Sequence, residues 1–109
     1  MDLFLLGVRS LIEKYNYKTA PIKRIVAKEH YGLNDSWYGG NIKCMAELKQ
    51  SKIVLVLDNS HNILDVAVYK EHLGEVDMNT LKEFAKKKGI EFSFKITKDE
   101  LIEKILAEV

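Results

Sequence analysis

The sequence predicts an α+β fold: three N-terminal helices, a two-stranded β-hairpin, then a C-terminal helix-loop-helix. Three observations carry that expectation. Apolar residues recur near helical spacing through the N-terminal half. Two β-branched runs in "KIVLVLDNSHNILDVAVYK" flank the polar turn-forming cluster Asp58-Asn59-Ser60-His61-Asn62. The closing stretch from Asn79 to Leu106 holds two short helical patterns, each opened by a threonine with an acid three residues later.

The first helix rests on Leu3, Leu6, Val8, Leu11, Ile12 and Tyr15, with Asp2 as its cap. Phe4 and Leu5 widen its apolar face, so it is expected to be gripped on more than one side. After a turn at "NYKT", Pro21 suits the first turn of a second helix marked by Ile22, Ile25 and Val26 and stopped near Gly32. The stretch "LNDSWYGGN" breaks the pattern, because each of Gly39 and Gly40 would cost roughly 1 kcal/mol inside a helix. Asn41 then caps a third helix that turns Ile42, Met45, Ala46 and Leu48 to the core and ends around Gln50-Ser51. In the hairpin, Ile53 to Leu57 is apolar on both faces and should be covered on both. Leu64, Val66 and Val68 face one way, Asp65 and Tyr69 the other. Gly74 in "EHLGEVD" marks a boundary between a body over 1–70 and a C-terminal element over 71–109.

In that element Thr80 with Glu83, and Thr97 with Glu100, read as capping boxes. Gly89 sits where a left-handed residue ends the first helix, and Ile90 packs back on Ala85. The helices span about 80–88 and 98–107. Leu81, Phe84 and Ala85 of one meet Leu101, Ile102 and Ile105 of the other, since neither survives alone. Phe92 and Phe94, in the extended "EFSFKI", are expected to dock on the body.

Leu81, the "AKKKGI" run from Ala85 to Ile90, Lys98, Leu101-Ile102 and Ile105 together resemble the helix-extended-loop-helix family, with its SAP-like, LEM-like and Rho N-terminal-like modules. Phe92 and Phe94 depart from the small polar loop residues of that family. For SAP-like and Rho-like members the resemblance implies nucleic-acid binding, through Lys86, Lys87, Lys88, Lys95 and Lys98. For LEM-like members it implies protein binding. The order helix, helix, helix, hairpin over residues 2–70 also resembles a winged helix-turn-helix. That would offer Tyr38, Asn41 and Lys43, at the start of the third helix, to a DNA major groove.

Composition narrows the function. Seventeen basic and sixteen acidic residues among 109 give a net charge of +1, so any basic surface must come from segregated charge. Lys18, Lys23, Arg24 and Lys28 form the most basic stretch and could line one face; an ordinary solvated face is the competing explanation. Lysines at a helix C-terminus are likewise favoured by the helix dipole alone. Trp37 and Tyr38 beside two glycines suit an aromatic contact loop, although Trp37 could instead plug the core.

The single cysteine, Cys44, allows no internal disulfide and points to a reducing compartment. The N-terminal stretch has no basic leader region and is charged too early for a membrane span, so a soluble cytoplasmic protein is expected. His30, His61 and His72 lack metal-ligand spacing. No phosphate loop, nucleotide fingerprint or nucleophile elbow occurs, so neither an enzyme nor a bound cofactor is expected. Two functions follow: a small DNA-binding protein, regulatory or of the phage and mobile-element accessory type, or a factor that binds a partner protein without nucleic acid, centred on Trp37 and Tyr38.

Overall fold

A computed structural model describes residues 3–32 and 37–108, and of Trp37 the backbone alone. Its regular elements are β1 (Leu3–Leu5), α1 (Arg9–Lys14), β2 (Ile22–Ala27), β3 (Cys44–Leu48), β4 (Ile53–Leu57), β5 (Ile63–Tyr69), α2 (Met78–Lys87) and α3 (Lys98–Glu108). Short 3-10 turns occur at Lys28–Tyr31, Trp37–Gly40 and Lys70–Glu75. The five strands form one antiparallel sheet in the order β1-β5-β4-β3-β2.

The expectation of three N-terminal helices is therefore wrong, and each segment fails for its own reason. The first breaks at Gly7, whose φ of +59° ends β1 and separates it from the short α1. In the second, a bulge between Ile22 and Arg24 inserts one residue opposite β3. Ile22 and Ile25, paired with Leu48 and Ala46, thereby share one sheet face three residues apart, a spacing that imitates a helix. In the third, Met45 and Ala46 point to opposite faces of β3 and both are fully buried. Burial on both sides produced the adjacent apolar pair that reads as helical.

Strands β4 and β5 lie where the hairpin pattern puts them, with Ile53 opposite Val68 and Val56 opposite Asp65. They form the middle of a five-stranded sheet, not a free two-stranded wing, and the winged helix-turn-helix resemblance falls with the helices it needed.

One face of the sheet carries the main core. Leu6, Leu55, Leu57, Val66 and Val68 pack there with Leu11 of α1, Leu81 and Phe84 of α2, and Leu101 and Ile105 of α3. The rings of Phe4 and Phe84 meet edge-on at 5.1 Å. The other face holds a smaller cluster of Ile42, Met45, Val54, Val56 and Ala67, with Tyr31 and Val26 packed against it.

The two C-terminal helices share the core of the sheet, so they are not a helix-extended-loop-helix module in a helix-dominated protein. Their ends obey local rules in part. Gly89 is left-handed at φ +74°, and the Ile90 amide donates to the Ala85 carbonyl at 2.9 Å. At α3, the Glu100 amide donates to Thr97 Oγ1 and the Thr97 amide to Glu100 Oε1, both at 3.3 Å, a closed capping box. At α2 the cap position is Asp77, and Thr80 is buried inside the helix. Phe92 packs against the core, whereas Phe94 is 81% exposed and does not dock.

Candidate functional site

The second sheet face carries a polar cluster near one end. Antiparallel pairing sets Arg24 of β2 directly opposite Glu47 of β3. The 3-10 turn after β2 brings Tyr31 down on the same carboxylate. Arg24 donates through Nε to Oε1 and through Nη2 to Oε2 at 3.3 Å, and the Tyr31 hydroxyl donates to Oε2. The Arg24 guanidinium, ahead of the Tyr31 hydroxyl, holds the Glu47 carboxyl down at about 2. Burial, then the bond to Glu47, pushes the Tyr31 phenol well above its ordinary range, so it stays a neutral donor.

Beside this cluster lies a groove of about 240 Å³ whose lining includes Lys23, Arg24, Lys49, Lys52, Tyr31 and Tyr69. The turn between β3 and β4 supplies Lys49 and Lys52; its backbone is fixed by Lys49 N–H donating to the Pro21 carbonyl at 2.8 Å and Lys52 N–H to Glu75 Oε2 at 3.0 Å. Among the described residues the ammonium groups of Lys23, Lys49 and Lys52 make no hydrogen bond or ion pair. Two of the groove's lining residues, Tyr31 and Tyr69, belong to a chain of four rings in successive contact. His30 and Tyr31 are 4.9 Å apart, Tyr31 and Tyr69 5.8 Å, and Tyr69 and His72 6.3 Å.

Comparisons with family models, curated proteins and solved structures find no match to this chain. The site therefore has to be read from its own chemistry.

The expected site residues scatter. Lys23 and Arg24 reach the groove; Lys18 sits exposed in the turn after α1, and Lys28 half-buried in the turn after β2. No helix starts at Tyr38, Asn41 and Lys43. Tyr38 gives its hydroxyl to the buried Asp65, Asn41 lies in an exposed turn, and the Lys43 backbone donates to the Leu57 carbonyl at 2.8 Å. Lys87 donates to the Gly7 carbonyl and Lys98 to the Gly74 carbonyl, each at 2.7 Å, which explains both as ties between elements. Lys88 lies 5.7 Å from the Phe84 ring. Lys86 and Lys95 flank the exposed Phe94. The Trp37 side chain lies outside the described residues.

Glu47 and Lys49 were missed because 41–50 read as a helix, and Lys52 and Tyr69 because only the pairing of β3 with β4 and β4 with β5 brings them to the groove. The available signal was "KQSK", a polar cationic turn immediately before the β-branched run Ile53–Leu57. No helix among the described residues is long and apolar enough to cross a membrane.

Proposed function

We propose that the protein binds a single-stranded nucleic acid across the groove formed by β2, β3 and β4. One observation carries this: the Tyr31 and Tyr69 rings, 5.8 Å apart, line the same groove as three lysines whose ammonium groups have no partner among the described residues. Single-strand sites combine cations that follow the phosphates with aromatic faces that take up unpaired bases. The near-neutral chain acquires its basic surface here by segregation, with Lys23, Arg24, Lys49 and Lys52 gathered around one groove against a single lining acid, Glu47, that Arg24 neutralises.

A single strand fits better than a duplex. Among the described residues no α-helix packs on this face to enter a major groove, and stacked base pairs would leave the rings without partners. Arg24 and Tyr31 are committed to Glu47, which leaves Lys23, Lys49 and Lys52 for the phosphates and the Tyr69 ring for a base.

Fluorescence anisotropy with a labelled oligothymidine, at low salt, tests the proposal. The wild type should bind the single strand more tightly than a duplex of equal length. Lys49→Glu with Lys52→Glu should weaken it by roughly tenfold or more, since phosphate contacts carry most of such affinity. No binding by the wild type, or equal binding by the double variant, would defeat it.

A further inference from the structure

The loop between α2 and α3 holds an apolar ring out into solvent although the loop itself is fastened. Phe92 is packed on the main core, Lys104 Nζ donates to the Glu91 carbonyl at 3.0 Å, and the capping box at Thr97 closes the far end. Between these anchors the Lys95 amide donates to Ser93 Oγ at 3.2 Å and the Ile96 amide to the Ser93 carbonyl at 3.0 Å. The resulting turn leaves Phe94 81% exposed. Because the loop backbone is already fastened, docking through Phe94 costs little ordering of the loop, which suits an interface anchor.

Beside the ring is a shallow groove of about 580 Å³, lined by Lys82, Lys86, Ile90, Glu91, Phe92 and Phe94. Its floor is apolar and its rim is cationic. Lys82 and Lys86 stand one turn apart on α2, and Lys95 Nζ lies 5.8 Å from the Phe94 ring. Glu91 is the one acid in the lining.

We infer that this groove binds an acidic segment of a partner protein, with an apolar side chain of that segment seated against Phe94 and Ile90. Charge complementarity selects the occupant. Two copies meeting through this face would oppose lysine to lysine, and the apolar Ile90, Phe92 and Phe94 in the lining match an apolar side chain of a peptide, which a phosphate chain lacks. The surface is separate from the sheet groove, and the inference does not rest on nucleic-acid binding.

The probe is a short labelled glutamate peptide with one central leucine, titrated into the full-length protein by anisotropy. It should bind. The same peptide without leucine, or with lysine replacing glutamate, should bind at least tenfold more weakly, the scale on which a single anchor counts. Phe94→Ala should lose binding while its thermal unfolding stays that of the wild type. Lys82→Glu with Lys86→Glu should transfer the preference to the lysine peptide. Equal binding of the leucine-free peptide, or full binding by Phe94→Ala, would overturn the inference. So would Phe94-dependent dimerisation in sedimentation, which would make a second copy the occupant. Displacement of the peptide by oligothymidine in the Lys49→Ala/Lys52→Ala protein would point instead to nucleic acid.

Discussion

Asp65 Oδ1 accepts the backbone N–H of Gly7 at 2.6 Å, joining residues 58 positions apart in the chain. The same oxygen accepts the Val66 amide at 2.7 Å, and Oδ2 accepts the Tyr38 hydroxyl. A carboxylate only 1% exposed thus fastens the end of β1, strand β5 and the turn at Trp37–Gly40 together. Lys87 adds the C-terminal end of α2 through the Gly7 carbonyl. Burial of this charge is tolerable because each of its oxygens has a donor.

Asp65→Ala should cost about 3 kcal/mol, since it removes the acceptor of the Gly7 and Val66 amides and of the Tyr38 hydroxyl together. Tyr38→Phe removes one donor and should cost about 1 kcal/mol. Urea unfolding of the two single variants and the double should be non-additive, because both act on one carboxylate. Wild-type stability in Asp65→Ala would show that the clasp contributes nothing.

Gly7→Ala should cost about 1–2 kcal/mol, because φ is +59° there and L-residues resist that conformation. An added Cβ would also fall 2.4 Å from Lys87 Nζ, but that is the mobile end of a long side chain. Most of the loss should therefore persist in the Gly7→Ala/Lys87→Ala double variant. A double variant as stable as Lys87→Ala alone would locate the penalty in the ammonium contact instead.

Parts of this architecture were legible and parts were not, and the division is physical. The runs Ile53–Leu57 and Ile63–Tyr69 declare themselves because β-branched residues bracket a turn rich in Asp and Asn. Gly89 and Thr97 are legible because helix ends are decided by a few neighbouring atoms. Strands β2 and β3 were hidden, the first by a bulge that moves Ile22 and Ile25 onto one face, the second by burial of both Met45 and Ala46. Asp65 read only as facing away from Val66 and Val68, since nothing local reveals that Gly7 and Tyr38 supply its donors. The groove was half visible. Lys23 and Arg24 stood out by charge, whereas Lys49, Lys52 and Tyr69 join them only through strand pairing.

The Glu47 cluster predicts a particular acid response. Its folded value is lowered from 4.5 to about 2, so the stabilisation is complete above about 4.5 and is lost as pH falls through about 2. In wild type the melting temperature should drop across that window. Glu47→Gln should remove this contribution, leaving a shallower decline. Superimposable profiles for the two proteins would exclude Glu47 as a source of acid sensitivity.

The two suspected caps should behave differently. Thr97→Ala should cost about 1 kcal/mol, the usual loss for a working cap. Glu83→Ala should cost under about 0.5 kcal/mol, because among the described residues Glu83 does not return to Thr80 and accepts only an exposed bond from Ser10 Oγ at 2.7 Å. Equal losses at both sites, measured by thermal unfolding, would restore a capping box at the start of α2.

The salt dependence of oligothymidine binding tests the central claim most directly. For single strands each phosphate contact contributes about 0.7 to the slope of log K against log salt. Replacing Lys23, Lys49 and Lys52 with alanine should therefore flatten the wild-type slope by about 2. The same oligonucleotide should bind Lys18→Ala with an unchanged slope. A wild-type protein that binds no single strand at low salt, or a triple variant that keeps the full slope, would contradict the account.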